Sequence, residues 1–217
     1  MTVADADMVP DEIRRDLQRL PPPYLVRKYE ATEEDYESLA EEDLRCEYLD
    51  GVLIVHSPAT LEHEDRVAFF LTLLKNFVSP RDLGRVYGSN AVMQLGPRRF
   101  CPDVSFLSRD RVDHIQRGRV MGPVDLAVEV ISNSTRDYDL GEKRQAYHVG
   151  RVPEIWMFDA GRQNCIIDFL EPGQYQTLTL SSGRFTSRVL PGLSVDVEWL
   201  WRDPTPDPLE CLHMGRA

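Results

Sequence analysis

Residues 124–143 read Val-Asp-Leu-Ala-Val-Glu-Val-Ile-Ser-Asn-Ser-Thr-Arg-Asp-Tyr-Asp-Leu-Gly-Glu-Lys. In an extended chain, Leu126, Val128 and Val130 take one face and Ala127, Glu129 and Ile131 the other. Both faces are apolar, as in a strand buried on two sides of a helix-covered sheet. Asp139-Leu140-Gly141-Glu142 has capping-box spacing and predicts a helix from Asp139 to Val149, broken by Arg151-Val152-Pro153. On that helix Leu140, Lys143, Ala146 and Tyr147 share one stripe, which turns Lys143 toward the sheet. Glu154-Ile155-Trp156-Met157-Phe158-Asp159 reads as the next strand.

Working outward, Thr32-Glu33-Glu34-Asp35 opens a short acidic helix to about Leu44, with Tyr36 and Leu39 inward. Two apolar runs around Asp50-Gly51 predict a hairpin. Thr60 caps a helix of about 18 residues whose inner face is Val67, Phe70, Leu71, Leu74 and Phe77. Strands are expected at 84–95 and 100–107, and a meander over 164–190 with turns at Pro172-Gly173 and Ser182-Gly183. The expected fold class is α/β (mixed α+β), a mixed sheet flanked by helices with an extra C-terminal strand meander. The expected division is a polar, partly ordered leader over 1–31, one domain over 32–203 and a Pro-rich tail over 204–217.

Length and composition fit one domain: 217 residues, 42% apolar and 28% charged. The start has no secretion-signal pattern, no apolar run could cross a membrane, and the four scattered cysteines form no CxxC pair. A reduced, cytoplasmic protein is expected. The net charge of −11 argues against nucleic acid as a partner, but residues 1–50 alone hold 15 acids and 6 bases. The segment 98–119 carries Arg98, Arg99, Arg109, Arg111, Arg117 and Arg119 against three aspartates, a basic stretch or ordinary solvated surface.

Two carboxylates and one lysine stand out. Glu129 sits inside an apolar run, where an ionised carboxylate is costly unless paired, protonated or metal-bound. Asp103 follows Pro102 at a strand start. Lys143 is one of only three lysines, with Lys28 and Lys75, against 22 arginines. The plain alternatives are a structural Glu129–Lys143 ion pair and an unrelated turn aspartate. No GxSxG, P-loop or HExxH is present, and the five histidines show no metal spacing.

Pro102-Asp103, Val128-Glu129-Val130-Ile131-Ser132-Asn133-Ser134-Thr135-Arg136, Tyr138-Asp139-Leu140-Gly141-Glu142-Lys143, Tyr147 and Val152-Pro153-Glu154-Ile155-Trp156 strongly resemble the Uma2 family of the PD-(D/E)XK nuclease superfamily. Glu47-Tyr48-Leu49-Asp50-Gly51, His63 and Leu190-Pro191-Gly192-Leu193 extend the resemblance, which spans roughly 32–200. It implies a restriction-endonuclease-like core and a divalent-metal-dependent DNA endonuclease using Mg²⁺ or Mn²⁺. It implies Asp103 and Glu129 as metal ligands with the Val130 carbonyl, and Lys143 as a lysine migrated from the position held here by Ile131. Glu47 is either the extra acidic residue of such sites or a plain surface position, and His63 either part of the pattern or a helix-start surface residue.

The alternative is a non-catalytic module keeping the fold for dimerisation or partner binding. A homodimer is expected on the same resemblance, with Ile166, Ile167, Phe169, Trp199 and Trp201 as interface candidates. Arg109, Arg111, Arg117 and Arg119 are expected to form a DNA-binding rim beside the site, because they connect the strands of Asp103 and Glu129.

Overall fold

A computed structural model of the chain describes residues 17, 19–40 and 44–214. The strands are β1 (Leu25–Lys28), β2 (Cys46–Leu49), β3 (Val52–His56), β4 (Gly84–Gly88), β5 (Met93–Leu95), β6 (Arg98–Phe100), β7 (Val104–Ser108), β8 (Ile115–Gln116), β9 (Arg119–Met121), β10 (Leu126–Val130), β11 (Glu154–Asp159), β12 (Asn164–Glu171), β13 (Gln174–Leu180), β14 (Arg184–Thr186) and β15 (Ser194–Asp196). The helices are α1 (Glu33–Ala40), α2 (Leu61–Val78), α3 (136–149) and α4 (Pro208–Met214).

Two mixed sheets carry the domain. One has the order β13-β12-β11-β10-β7-β4, the other β1-β3-β2-β6-β5-β9-β8, and β14-β15 pair separately. β10 and β11 run parallel, joined through α3 as the strand-helix-strand reading requires. Face parity along β10 holds. Leu126, Val128 and Val130 enter a core with α2, Trp156 and Phe158, while Ala127 and Ile131 enter a second core with Ala146, Tyr147 and strands of the other sheet. A third, smaller core lies between α1 and β2–β3, around Tyr36, Leu39 and Tyr48.

Local chemistry explains the elements. Asp50 and Gly51 take φ of 49° and 85°, the left-handed pair that a two-residue hairpin turn needs. Thr60 Oγ1 accepts from the His63 N–H, and α2 then buries Val67, Phe69, Phe70, Leu73, Leu74, Phe77 and Val78. Each contributes about 1.5–3 kcal/mol by leaving water. On α1, Thr32 and Asp35 exchange side-chain-to-N–H bonds at 3.1 and 2.8 Å.

Several expectations are corrected. The strand expected at 84–95 is two strands, β4 and β5, in different sheets. Likewise 100–107 divides at Cys101-Pro102-Asp103, where the chain passes from one sheet to the other and Pro102 offers no N–H to a ladder. The second helix starts at Arg136 rather than Asp139. Ser132 and Thr135 bond each other's backbone N–H, and the Asp139 N–H already donates to the Thr135 carbonyl. Residues Asp139–Lys143 form a π-helical turn within α3.

The leader is described only in part, and its Leu25–Lys28 pairs with β3 as an edge strand. The tail contains α4, whose Cys211 is fully buried against the α2 side. No helix among the described residues is long and apolar enough to cross a membrane. Ile167, Phe169 and Trp199 are buried in the chain's own core, and Ile166 and Trp201 pack against it. Packing within the chain thus accounts for Ile167, Phe169 and Trp199, while Ile166 and Trp201 stay partly exposed.

Candidate functional site

The two sheets meet along a cleft of about 480 Å³ whose lining includes Arg45, His63, Asp103, Glu129, Val130 and Asp139. Asp103 enters it from the start of β7, Glu129 from the end of β10, and Lys143 reaches inward from α3. Glu47, from β2 of the other sheet, closes the cluster.

Lys143 is fully buried, with Nζ 2.9 Å from Glu129 Oε2, 3.0 Å from Glu47 Oε1 and 3.9 Å from Asp139 Oδ1. These contacts are close, yet none has hydrogen-bond alignment, so the ammonium keeps N–H capacity. The Tyr147 hydroxyl donates to Glu129 Oε1 at 2.6 Å. Glu47 accepts from the Tyr138 hydroxyl at 2.7 Å and the Cys101 N–H at 2.8 Å, and meets His56 Nε2 at 3.3 Å. Asp103 accepts from Arg45 at 2.6 Å and from the Val130 N–H at 2.8 Å, with His63 Nε2 3.4 Å away.

The electrostatics follow from this geometry. Burial pushes Glu129 up, and the nearby carboxylates Asp103, Asp139 and Glu47 add to it against the pull of Lys143. Burial also works to raise Asp103, but the Arg45 guanidinium and His63 override it and hold the carboxyl well below its ordinary range. Glu47 is likewise held low despite burial, chiefly by Lys143 and His56. For Lys143 burial acts downward, and Glu129, Glu47 and Asp139 outweigh it, so the amine stays charged. A charged Lys143 has no lone pair with which to accept a proton.

Four buried carboxylates, Glu47, Asp103, Glu129 and Asp139, face two permanent cations, Arg45 and Lys143. Four carboxyl groups in one place offer the hard oxygen donors that a cation such as Mg²⁺ or Mn²⁺ takes. The fit is one of kind rather than of finished geometry. Among the described residues no group of three His, Cys, Asp or Glu side chains converges on one metal position, and the oxygens of Asp103 and Glu129 are held by Arg45, His63, Tyr147 and Lys143.

Asp103, Glu129, Lys143 and Glu47 are thus brought together, and Glu47 is buried at the centre rather than on the surface. His63, too, lines the cleft instead of solvent. Arg45, His56, Tyr138 and Tyr147 join the site through tertiary contacts, Tyr138 and Tyr147 being among the residues that carry the family resemblance. Tyr147 was detectable on the inner stripe of α3; the other three carry no periodic signal.

The four arginines do not form a rim beside the cleft, and that expectation is corrected. β7 and β10 are antiparallel, with Val128 opposite Val104 and Leu126 opposite Phe106. Asp103 and Glu129 lie at one end of this pair, so residues 109–121, which connect the strands, leave from the other. Five residues of strand put roughly 16 Å between the two ends. Arg109 pairs with Asp82 and Arg111 with Asp125, while Arg119, on β9 of the other sheet, pairs with Glu37 of α1.

A family model described as "Uma2: Putative restriction endonuclease" matches residues 33–198. No curated protein matches the chain. Among solved structures, one described as a "putative nuclease belonging to DUF820" from Anabaena variabilis is similar, with a TM-score of 0.67 and 16% identity. The match covers 78% of this chain and 97% of that one, a likeness of fold.

Proposed function

The chain belongs to the Uma2 family, and from that premise we propose that it is a divalent-metal-dependent endonuclease hydrolysing phosphodiester bonds of DNA. The observation that carries the reading is that Asp103 and Glu129 line one cleft while the buried Lys143 lies behind Glu129, against it and Glu47. A bare structural ion pair needs two partners. This cluster has more acids than bases, and its lysine keeps N–H groups turned to no aligned acceptor.

In this reading Asp103 and Glu129 hold Mg²⁺ or Mn²⁺ through their carboxylate oxygens, with the Val130 carbonyl as a further donor. The bound ion supplies charge neutralisation at the phosphate and a more acidic water. Lys143, charged and fixed between Glu129 and Glu47, orients the attacking water and offsets negative charge growing on the phosphorus oxygens. Arg45 holds the Asp103 carboxylate in place. Tyr147 does the same for Glu129, and Tyr138 with the Cys101 N–H for Glu47. A homodimer remains part of the reading, because two strands need two clefts; light scattering at micromolar concentration tests it.

The decisive experiment joins binding to cleavage. Mg²⁺ or Mn²⁺ should raise the melting temperature of the wild type in a concentration-dependent way and leave an Asp103→Asn, Glu129→Gln double variant unmoved. Single- and double-stranded DNA should be cut by the wild type with the ion and spared in chelator. Absence of both effects leaves a non-catalytic module that retains the fold.

A further inference from the structure

Outside the cleft, Asp168 on β12 is a fully satisfied buried carboxylate, 0% exposed. Arg144 binds it in bidentate fashion, Nε to Oδ2 at 2.6 Å and Nη2 to Oδ1 at 2.7 Å. His148 Nε2 lies 2.9 Å from Oδ2. Thr177, directly opposite on β13, donates its hydroxyl to Oδ1 at 2.6 Å. His148 is also stacked on Tyr175, with ring centroids 3.9 Å apart and planes 11° from parallel. The Tyr175 hydroxyl in turn donates to the Val152 carbonyl at 2.7 Å, at the exit of α3.

Three facts join this cluster to the cleft. Arg144 is the residue after Lys143, and His148 lies one turn further along the same helix. Asp168 stands opposite Ile155, whose side chain belongs to the core beneath α3, so the carboxylate projects to the helix side of the sheet. The turn just before, Asp139–Lys143, is π-helical. A π turn is a rare single-turn insertion in an α-helix, frequent at functional sites, and it shifts the angular position of the turns that follow. Bidentate Arg–carboxylate pairs fix direction as well as distance.

We propose that Asp168 is a positioning residue for Lys143: by gripping Arg144 and His148 it sets the rotation of α3 that delivers the Lys143 ammonium between Glu47 and Glu129. The functional weight of this rests on the nuclease reading; the geometric part does not. Here three of the four bonds come from the helix that carries the lysine.

The test uses the protein's three lysines as reporters. Lys75 is exposed, Lys28 partly so, and Lys143 is fully buried. Brief acylation of the folded wild type with an N-hydroxysuccinimide ester, read by peptide mass spectrometry, should modify Lys28 and Lys75 and spare Lys143. In Asp168→Asn, at a temperature where circular dichroism shows a folded chain, modification of Lys143 relative to Lys75 should rise at least tenfold. Arg144→Gln should behave alike, and Arg144→Lys should restore part of the protection.

Arg184→Gln, which breaks an exposed pair with Asp196, is the control and should change nothing. If Asp168→Asn does not fold, Thr177→Val removes one bond to Asp168 and one from Arg144 while leaving the Arg144–Asp168 pair, and should give a smaller rise. Lys143 staying protected in folded Asp168 and Arg144 variants overturns the proposal. A wild type that cuts no DNA overturns the nuclease reading and leaves this result standing.

Discussion

Lys143 Nζ lies 2.9 Å from Glu129 Oε2, and both side chains are buried almost completely. Neither is tolerable alone. Removing one partner of a buried pair leaves an uncompensated charge and costs about 3–5 kcal/mol, whereas replacing both by apolar groups is often close to neutral. Lys143→Met, which strips the cation from Glu129 and Glu47 together, should lower stability by that order; Glu129→Leu, which leaves Lys143 its contact with Glu47, should lower it by less, and the double change should cost less than the sum. Urea titrations of the four proteins check this; additive losses would show that the pair is not energetically coupled.

Arg45 makes a comparable contact with Asp103 at 2.6 Å, and it competes with any cation for that carboxylate. Arg45→Met should raise the Asp103 carboxyl toward its ordinary range, since Arg45 is the largest influence holding it down against burial. It should also destabilise the chain by about 2–4 kcal/mol through the exposed cost of the carboxylate. Part of that loss should return on adding Mg²⁺ or Mn²⁺, with a larger melting shift than the wild type shows. An equal or smaller shift would mean that Asp103 does not take up the ion.

Much of this site was legible because two periodicities cross in it. The two-residue alternation of Leu126 to Ile131 put Glu129 on the α3 side of its sheet, and the helical stripe put Lys143 facing it. Glu47 resisted the same treatment. In the strand Cys46–Leu49 three of the four residues are buried, so no alternation marks an inner face, and the packing of one sheet on another decides its role. Arg45 and His56 flank short strands and reach the site only through tertiary structure. The arginine segment failed for a topological reason: closeness in sequence to two site residues says nothing about which end of an antiparallel pair the connection occupies.

That placement carries its own expectation. Arg109 is mostly exposed and paired with Asp82, and such surface pairs are worth about 0–1 kcal/mol. Charge reversal at Arg109 and Arg117 should therefore cost little stability and leave the metal-dependent melting shift unchanged. Titrating the double variant with Mn²⁺ measures this. A diminished shift would place residues 109–117 in communication with the cleft.

Asp168 gives the sharpest pH dependence. Burial acts to raise its carboxyl, but Arg144, His148 and Thr177 together outweigh it and hold the folded value below the ordinary 3.8. A carboxyl depressed by folding contributes stability that is fully present above its unfolded pKa and is lost as pH falls through the folded one. Asp168→Asn removes that contribution at every pH. At pH 7 the variant should be less stable than the wild type by on the order of 2–3 kcal/mol, the scale of hydrogen bonds to a charged group. Below pH 3.8 the gap should shrink, because the unfolded chain takes up a proton there while the folded carboxylate stays ionised. Chemical denaturation of both proteins at matched pH from 7 down to the lowest pH at which each remains folded checks the trend. A gap that stays constant across that range would mean that the carboxylate's charge plays no part in holding α3 to the sheet.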